Sequence, residues 1–225
     1  MRRADPDLPR VRDGVFFTLP AALRRGRHKL TPEQVAAAQR ERILAAMTEL
    51  LAAHGYKSFR ANEIARRAGV SLQAFYACFK NKDACVFAGY ERFIDVLLKR
   101  MTQVPIVGVT RGEIVRSIVG GYLETLQGDL VVARAYQMEI DALGAPARER
   151  RRQSLTRFAS FLKQAVALSS PDRKPPAELT WSAYLGAVYA VRQLASDALD
   201  VEARPDLSRL RADAEGWLVD LFRQR

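Results

Sequence analysis

The sequence predicts an all-α protein, with three helices closing an N-terminal domain and a longer run of helices behind them. Three observations predict this. Apolar residues recur at helical spacing through most of the chain, no alternating strand of useful length interrupts them, and Gly, Pro and Ser positions cut the pattern at helix-length intervals. At 225 residues, 48% hydrophobic and 27% charged, the chain is long enough to bury a core. Collagen-like, mucin-like and wholly disordered classes are excluded.

Residues 1–30 read as a basic, flexible arm. Pro6, Pro9, Pro20 and Gly14 are mixed with arginines, Phe16, Phe17 and Leu19 form a short apolar island, and Arg24-Arg25-Gly26-Arg27-His28-Lys29 closes the segment. Thr31-Pro32-Glu33-Gln34 then opens a helix, with Thr31 as cap, Pro32 at the first helical position and Gln34 completing a capping box. Ile43, Ala46, Met47, Leu50, Leu51 and His54 fall on one helical stripe, and Gly55 stops it. On that stripe His54 is expected to be a packed or capping histidine.

Asn62 to Ala68 is a second, short helix with Ile64, Ala65 and Ala68 inward and Arg66 and Arg67 outward. Gly69 supplies the turn, Val70 plugs the core, and Ser71 caps a third helix running to Phe79. Lys80-Asn81-Lys82-Asp83 precedes a longer helix from about Ala84 to Met101. Further helices are predicted near 110–127, 130–143, 146–168, 175–200 and 206–224, punctuated by Gly128, Gly144-Ala145-Pro146, Ser169-Ser170-Pro171 and Arg204-Pro205. The expected organisation is an arm over 1–30, a first domain over 31–83 and a second over 84–225.

Charge is the informative part of the composition. The chain carries +11, but residues 1–82 hold 16 basic and 7 acidic side chains, against 20 and 18 in residues 83–225. A locally basic N-terminal segment is what a polyanion binder needs. Two cysteines, Cys78 and Cys85, make no disulfide framework, and two histidines supply no metal site, so neither metal nor cofactor is expected. Two histidines also furnish no plausible Ser-His-Asp or Cys-His set, and there is no Gly-rich phosphate loop; an enzyme is not expected. The longest apolar run, Ala183 to Val191, is far short of a membrane span, and the N-terminus lacks the apolar stretch of a signal peptide. The expected location is the cytoplasm.

Two short helices joined by a Gly-containing turn on a basic segment suggest a helix-turn-helix. Glu63-Ile64-Ala65-Arg66-Arg67-Ala68-Gly69-Val70-Ser71, followed by Phe75-Tyr76, Phe79 and Lys80-Asn81-Lys82-Asp83-Ala84, closely resembles the N-terminal signature of the TetR family of repressors. The resemblance covers about residues 38–90. Phe75 and Phe79 are expected to bury with Val70 and Ile64, which leaves Gln73, Ala74, Tyr76, Ala77 and Lys80 on or near the outer face. Gln pairs with adenine, Ala meets a thymine methyl, and Tyr and Lys reach phosphates. Ser71 leaves a helix N-terminus free to approach phosphate.

The resemblance implies backbone contacts at Tyr76 and Lys82, and base-edge positions at Asn62, Leu72, Gln73 and Ala74. Arg60 stands where the family commonly has Thr, so either Ser58 caps from further out or Arg60 meets phosphate. Arg24, Arg25, Arg27 and Lys29 are expected to form an accessory arm on the duplex. The resemblance further implies a homodimer through the last two helices and a helical effector-binding domain, for which Phe93, Leu97, Tyr122, Leu126, Met138, Phe158 and Trp181 are candidate wall residues. The implied protein is a ligand-responsive transcriptional regulator, a repressor that binds palindromic double-stranded operator DNA as a homodimer and is released by a small, mostly apolar effector. The alternative is a small-molecule-binding or scaffold protein whose helix-turn-helix is vestigial. The 84–101 helix is expected to be the one element reporting effector occupancy to the reading heads.

Overall fold

The computed structural model describes residues 8–20, 31–103, 108–169 and 179–223. Among them the regular structure is helical, apart from one isolated bridge between Asp13 and Phe17. No helix among the described residues is long and apolar enough to cross a membrane. The chain divides into two compact units, Met1–Phe93 with Val131–Ala147, and Ile94–Leu130 with Arg148–Arg225.

The first unit is built on α1, Pro32–His54. Thr31 Oγ1 accepts from the Gln34 N–H (3.3 Å) while Gln34 Oε1 accepts from the Thr31 N–H (2.9 Å), the reciprocal cap that the sequence encodes. Ile43, Ala46, Met47, Leu50 and Leu51 are buried as the stripe requires, but His54 is exposed in the last turn. A 3₁₀ turn, Tyr56–Ser58, leads to α2 (Ala61–Ala68), α3 (Leu72–Cys78) and α4 (Lys82–Met101), whose first turns lie in this unit.

The apolar island near the N-terminus is part of this core. Val11, Phe16 and Phe17 are only 5%, 3% and 2% exposed, and the Phe16 ring lies 5.4 Å from that of Phe93. The Gly14 N–H donates to Phe17 O (2.8 Å), and the Leu19 N–H donates to Asp13 Oδ1 (2.7 Å). So the expectation of a flexible arm is corrected over residues 8–20, which form a packed strap. The physical reason is that burial of two adjacent phenylalanines and a valine, together with the bonds inside the segment and to Glu49, offsets the chain entropy lost on ordering it.

Residues 131–147 return to this unit through α6, Leu130–Gln137, which follows α5 (Arg111–Gly128) in the chain. Tyr136 on α6 is fully buried. The Thr48 hydroxyl donates to Leu44 O (2.8 Å), so the Tyr136 hydroxyl, 2.8 Å from Thr48 Oγ1, is the donor to it. Its ring lies 5.4 Å from Phe93 and 6.1 Å from Tyr90, and a Cβ on Gly89 would come within 2.0 Å of its hydroxyl. The helix expected over 130–143 ends at Gln137; the remainder tightens into a 3₁₀ segment, Glu139–Leu143, closed by Gly144 at φ 78°.

The second unit holds the end of α4, α5, and then α7 (Ala145–Leu168, from Arg148), α8 (Trp181–Val201) and α9 (Leu207–Arg223). Thr110 and Glu113 make a second capping box at the start of α5. α5 lies along α9, where Arg211 pairs with Glu124 and Glu215; a Cβ at Gly120 would meet the Arg211 guanidinium at 2.7 Å, so glycine makes room for it. Tyr184 and Phe222 join α8 to α9 with ring centroids 5.5 Å apart. α8 begins at Trp181 behind Thr180 at its N-cap position, not near 175; residues 175–178 lie outside the described ones.

Candidate nucleic-acid interface

The interface is built from α2, its turn and α3. Gly69 adopts φ 65°, ψ 36°, the left-handed conformation that glycine enters without cost. The Val70 N–H donates to Ala65 O (3.0 Å) and the Gly69 N–H to Arg66 O (3.2 Å), a Schellman closure that satisfies the end of α2. Ser71 Oγ then accepts from the Ala74 N–H (3.0 Å), starting α3 two residues later. Phe75 and Phe79 are buried with Ile64, ring centroids 6.0 Å apart, and hold α3 by its inner face.

That packing determines what faces outward. Asn62, Ser71, Gln73, Ala77 and Lys80 are exposed, Ala74 is half-buried, and Leu72 and Tyr76 are 43% and 53% exposed. Two large apolar surfaces on one short helix are a cost that an approaching base edge or sugar would remove. The Tyr76 ring stands edge-on to Phe75 at 5.3 Å.

Arg60 is itself the residue before the first turn of α2, and its backbone N–H donates to Glu63 Oε2 (2.8 Å). The cap is supplied by Glu63 from inside the helix, so Ser58 is not the N-cap and the Arg60 side chain stays exposed.

Lys82 is more engaged than the sequence suggests. Its Nζ donates to Tyr56 O (2.8 Å) and Phe59 O (2.9 Å) and lies 3.9 Å from the Tyr56 ring centroid. Burial lowers its pKa, opposed by Asp83 and Glu63. The Tyr56 hydroxyl donates to Asp83, and burial followed by that carboxylate pushes Tyr56 up to about 12. Lys82 therefore ties the 56–59 turn to α4. Lys82→Ala is expected to lower the thermal midpoint by the equivalent of about 1–3 kcal/mol, beyond any loss of duplex affinity. An unchanged melting curve would show that the two carbonyl bonds carry no stability.

Two positioning residues escaped the sequence reading. Arg40 on α1 donates from Nη1 to Cys78 O (3.3 Å) and lies 4.4 Å from the Phe79 ring centroid, so it caps the end of α3 from another helix. Glu49, also on α1, is 8% exposed; its Oε2 pairs with Arg67 Nε (2.7 Å) and its Oε1 accepts from the Val11 N–H (3.2 Å). A glutamate inside an apolar stripe was the available signal. Burial raises the pKa of both Cys85 and Cys78, Arg40 opposing, so the two thiols stay protonated.

Arg24, Arg25, Arg27 and Lys29 lie outside the described residues. Of the candidate effector-wall residues, Phe93 and Met138 lie in the first unit and Leu97, Tyr122, Leu126, Phe158 and Trp181 in the second. Phe93 is packed on Phe16 and Tyr136, while Trp181 is 42% exposed at the start of α8. Among the described residues, no group of three His, Cys, Asp or Glu is placed to hold a metal ion.

Residues 43–88 match the family described as bacterial regulatory proteins, tetR family. Two Bacillus subtilis proteins are similar over part of the chain. One, named an uncharacterized HTH-type transcriptional regulator YerO, is 28% identical over 88 residues, which is 38% of this chain and 30% of that protein. The other, named a fatty acid metabolism regulator protein, is 24% identical over 120 residues, 53% of this chain and 62% of that protein. The chain thus matches less than two thirds of either relative. The fold is that of the Bacillus subtilis transcriptional regulator FadR solved with stearoyl-CoA, with a TM-score of 0.66 at 19% identity, over 79% of this chain and 96% of that one.

Proposed function

We propose that this chain, whose residues 43–88 match the tetR family of bacterial regulatory proteins, is a ligand-responsive repressor. It binds palindromic operator DNA as a homodimer and leaves it when a small, mostly apolar effector binds. The observation that carries this reading is the outer face of α2 and α3, where Asn62, Leu72, Gln73 and Tyr76 are exposed on helices held rigidly from behind. Asn62, Leu72, Gln73 and Ala74 face base edges, while Arg60, Ser71, Tyr76 and Lys80 meet phosphates. Lys82 contributes through the one N–H that its two carbonyl partners leave over.

The homodimer forms through α8 and α9. Trp181, Tyr189 and Leu194 on α8 and Trp217 on α9 are all more than a third exposed, apolar surface that a second copy of the same face would cover. The domain limits proposed are 31–83 for reading and 84–225 for effector binding and dimerisation. Residues 131–147 nevertheless share a compact unit with the reading helices. α4 stays the proposed carrier of the effector signal to them, with α6 a second route. The cluster Arg24, Arg25, Arg27 and Lys29 remains the proposed accessory arm. Its test is replacement by glutamine, because deleting residues 1–29 would also strip the buried Phe16 and Phe17.

Selection from a random duplex pool tests the reading. The full chain is expected to enrich an inverted repeat with half-sites about 34–36 Å apart, and Gln73→Ala to relax one or two base pairs of it. Stearoyl-CoA, the ligand of the FadR structure, is the first effector to titrate against the selected duplex. Ligand and duplex must weaken each other by the same factor. Enrichment of no inverted repeat would overturn the proposal.

A further inference from the structure

We propose that the strap and the back of the helix-turn-helix form a second phosphate site, in which Arg10 and Arg42 grip the DNA backbone beside the reading helix. The inference rests on the duplex-binding role proposed above and adds to it a contact from outside α2 and α3. Residues 8–20 lie against α1 and the end of α2 so as to leave an open cleft of about 280 Å³. Its floor is hydrocarbon, from Leu19, Ala45, Ala46 and Ala68, and its charged groups are Arg10, Arg42, Arg67 and Glu49.

The charge balance of this cleft is decided by Glu49. Both of its carboxylate oxygens are occupied, Oε2 by Arg67 and Oε1 by the Val11 N–H. The single acid is therefore neutralised inside the protein. Arg10 and Arg42 have no ion pair or hydrogen bond among the described residues, so two uncompensated guanidinium groups face the same opening. Nor is Arg42 needed to finish α2, since Gly69 and Val70 already satisfy the carbonyls of Arg66 and Ala65.

Arg42 is placed at the turn itself: its Nη2 lies 2.6 Å from where a Cβ on Gly69 would stand. That turn precedes Ser71 by two residues, at the end of α3 whose first residues enter the major groove in a helix-turn-helix. A groove about 12 Å wide is flanked on both sides by phosphates, so a cation beside the N-terminal end of α3 stands over the strand next to it. Guanidinium groups suit this role because their planar N–H forks match phosphate oxygens in pairs.

The test is the salt dependence of full-chain binding to a 30-base-pair duplex of random sequence, with Arg10→Gln, Arg42→Gln and the double variant. Each single change is expected to reduce the slope of log K against log[salt] by about one and the double change by about two. The thermal midpoint should move little, because neither side chain has an ion pair or hydrogen bond among the described residues to lose. A slope unchanged in the double variant, while the parent chain binds the duplex, would overturn this site and leave the proposed function standing. No duplex binding by the parent chain would overturn both. Calorimetry with inorganic phosphate forms the second arm. If the double variant loses phosphate binding but keeps the duplex slope, the cleft holds a soluble phosphate ligand, and its assignment to DNA is overturned.

Discussion

Phe17→Ala is expected to destabilise the first unit by about 3–5 kcal/mol, the range for emptying a buried aromatic position. The ring is 2% exposed, and it sits in a strap that has few other means of holding on. Besides Phe16 and Val11, a turn within the strap and the bond from the Val11 N–H to Glu49 help to hold it. How far the strap closes over the missing ring sets where in that range the cost falls. Urea melts of the full chain measure it. Leu19→Ala is the control, since a side chain 37% exposed should change stability by no more than about 0.5 kcal/mol. If both substitutions cost the same, the strap is not part of the core.

Arg67→Ala is expected to cost about 3–5 kcal/mol, for a different reason. Arg67 and Glu49 are a nearly buried pair, their side chains 9% and 11% exposed, joining α2 to α1. Removing the guanidinium leaves a carboxylate with the Val11 N–H as its remaining partner in this pair of contacts, and an uncompensated buried charge is what makes such truncations severe. The double change Arg67→Met with Glu49→Leu removes both charges and should recover most of the loss. What it does not recover is the Val11 N–H, left without its acceptor at a cost of about 1–3 kcal/mol. Melting curves of the two single variants and the double form a cycle that isolates the pair. A double variant no more stable than Arg67→Ala would show that shape, not charge, governs the site.

The sequence by itself determined the helical class, the three-helix reading unit and the outward face of α3. All of these rest on short-range interactions. Thr31 meets Gln34, Ser71 meets Ala74 and Val70 meets Ala65, each within five positions, so composition and spacing record them directly. The family resemblance rests on the same local pattern. Only the tertiary structure decided the strap, the cap of α3 by Arg40, the occupation of Lys82 and the return of Tyr136 to the reading unit. Their partners lie far away in sequence: Val11 and Glu49 are 38 positions apart, Arg40 and Cys78 also 38, Tyr56 and Lys82 26, and Thr48 and Tyr136 88. Helical periodicity says that Phe93 or Leu97 is buried, but not against what. The candidate effector wall accordingly has Phe93 and Met138 in one unit and its other members in the second. Burial is a property of one face, whereas a pocket is a relation among several, and only the packed chain supplies it.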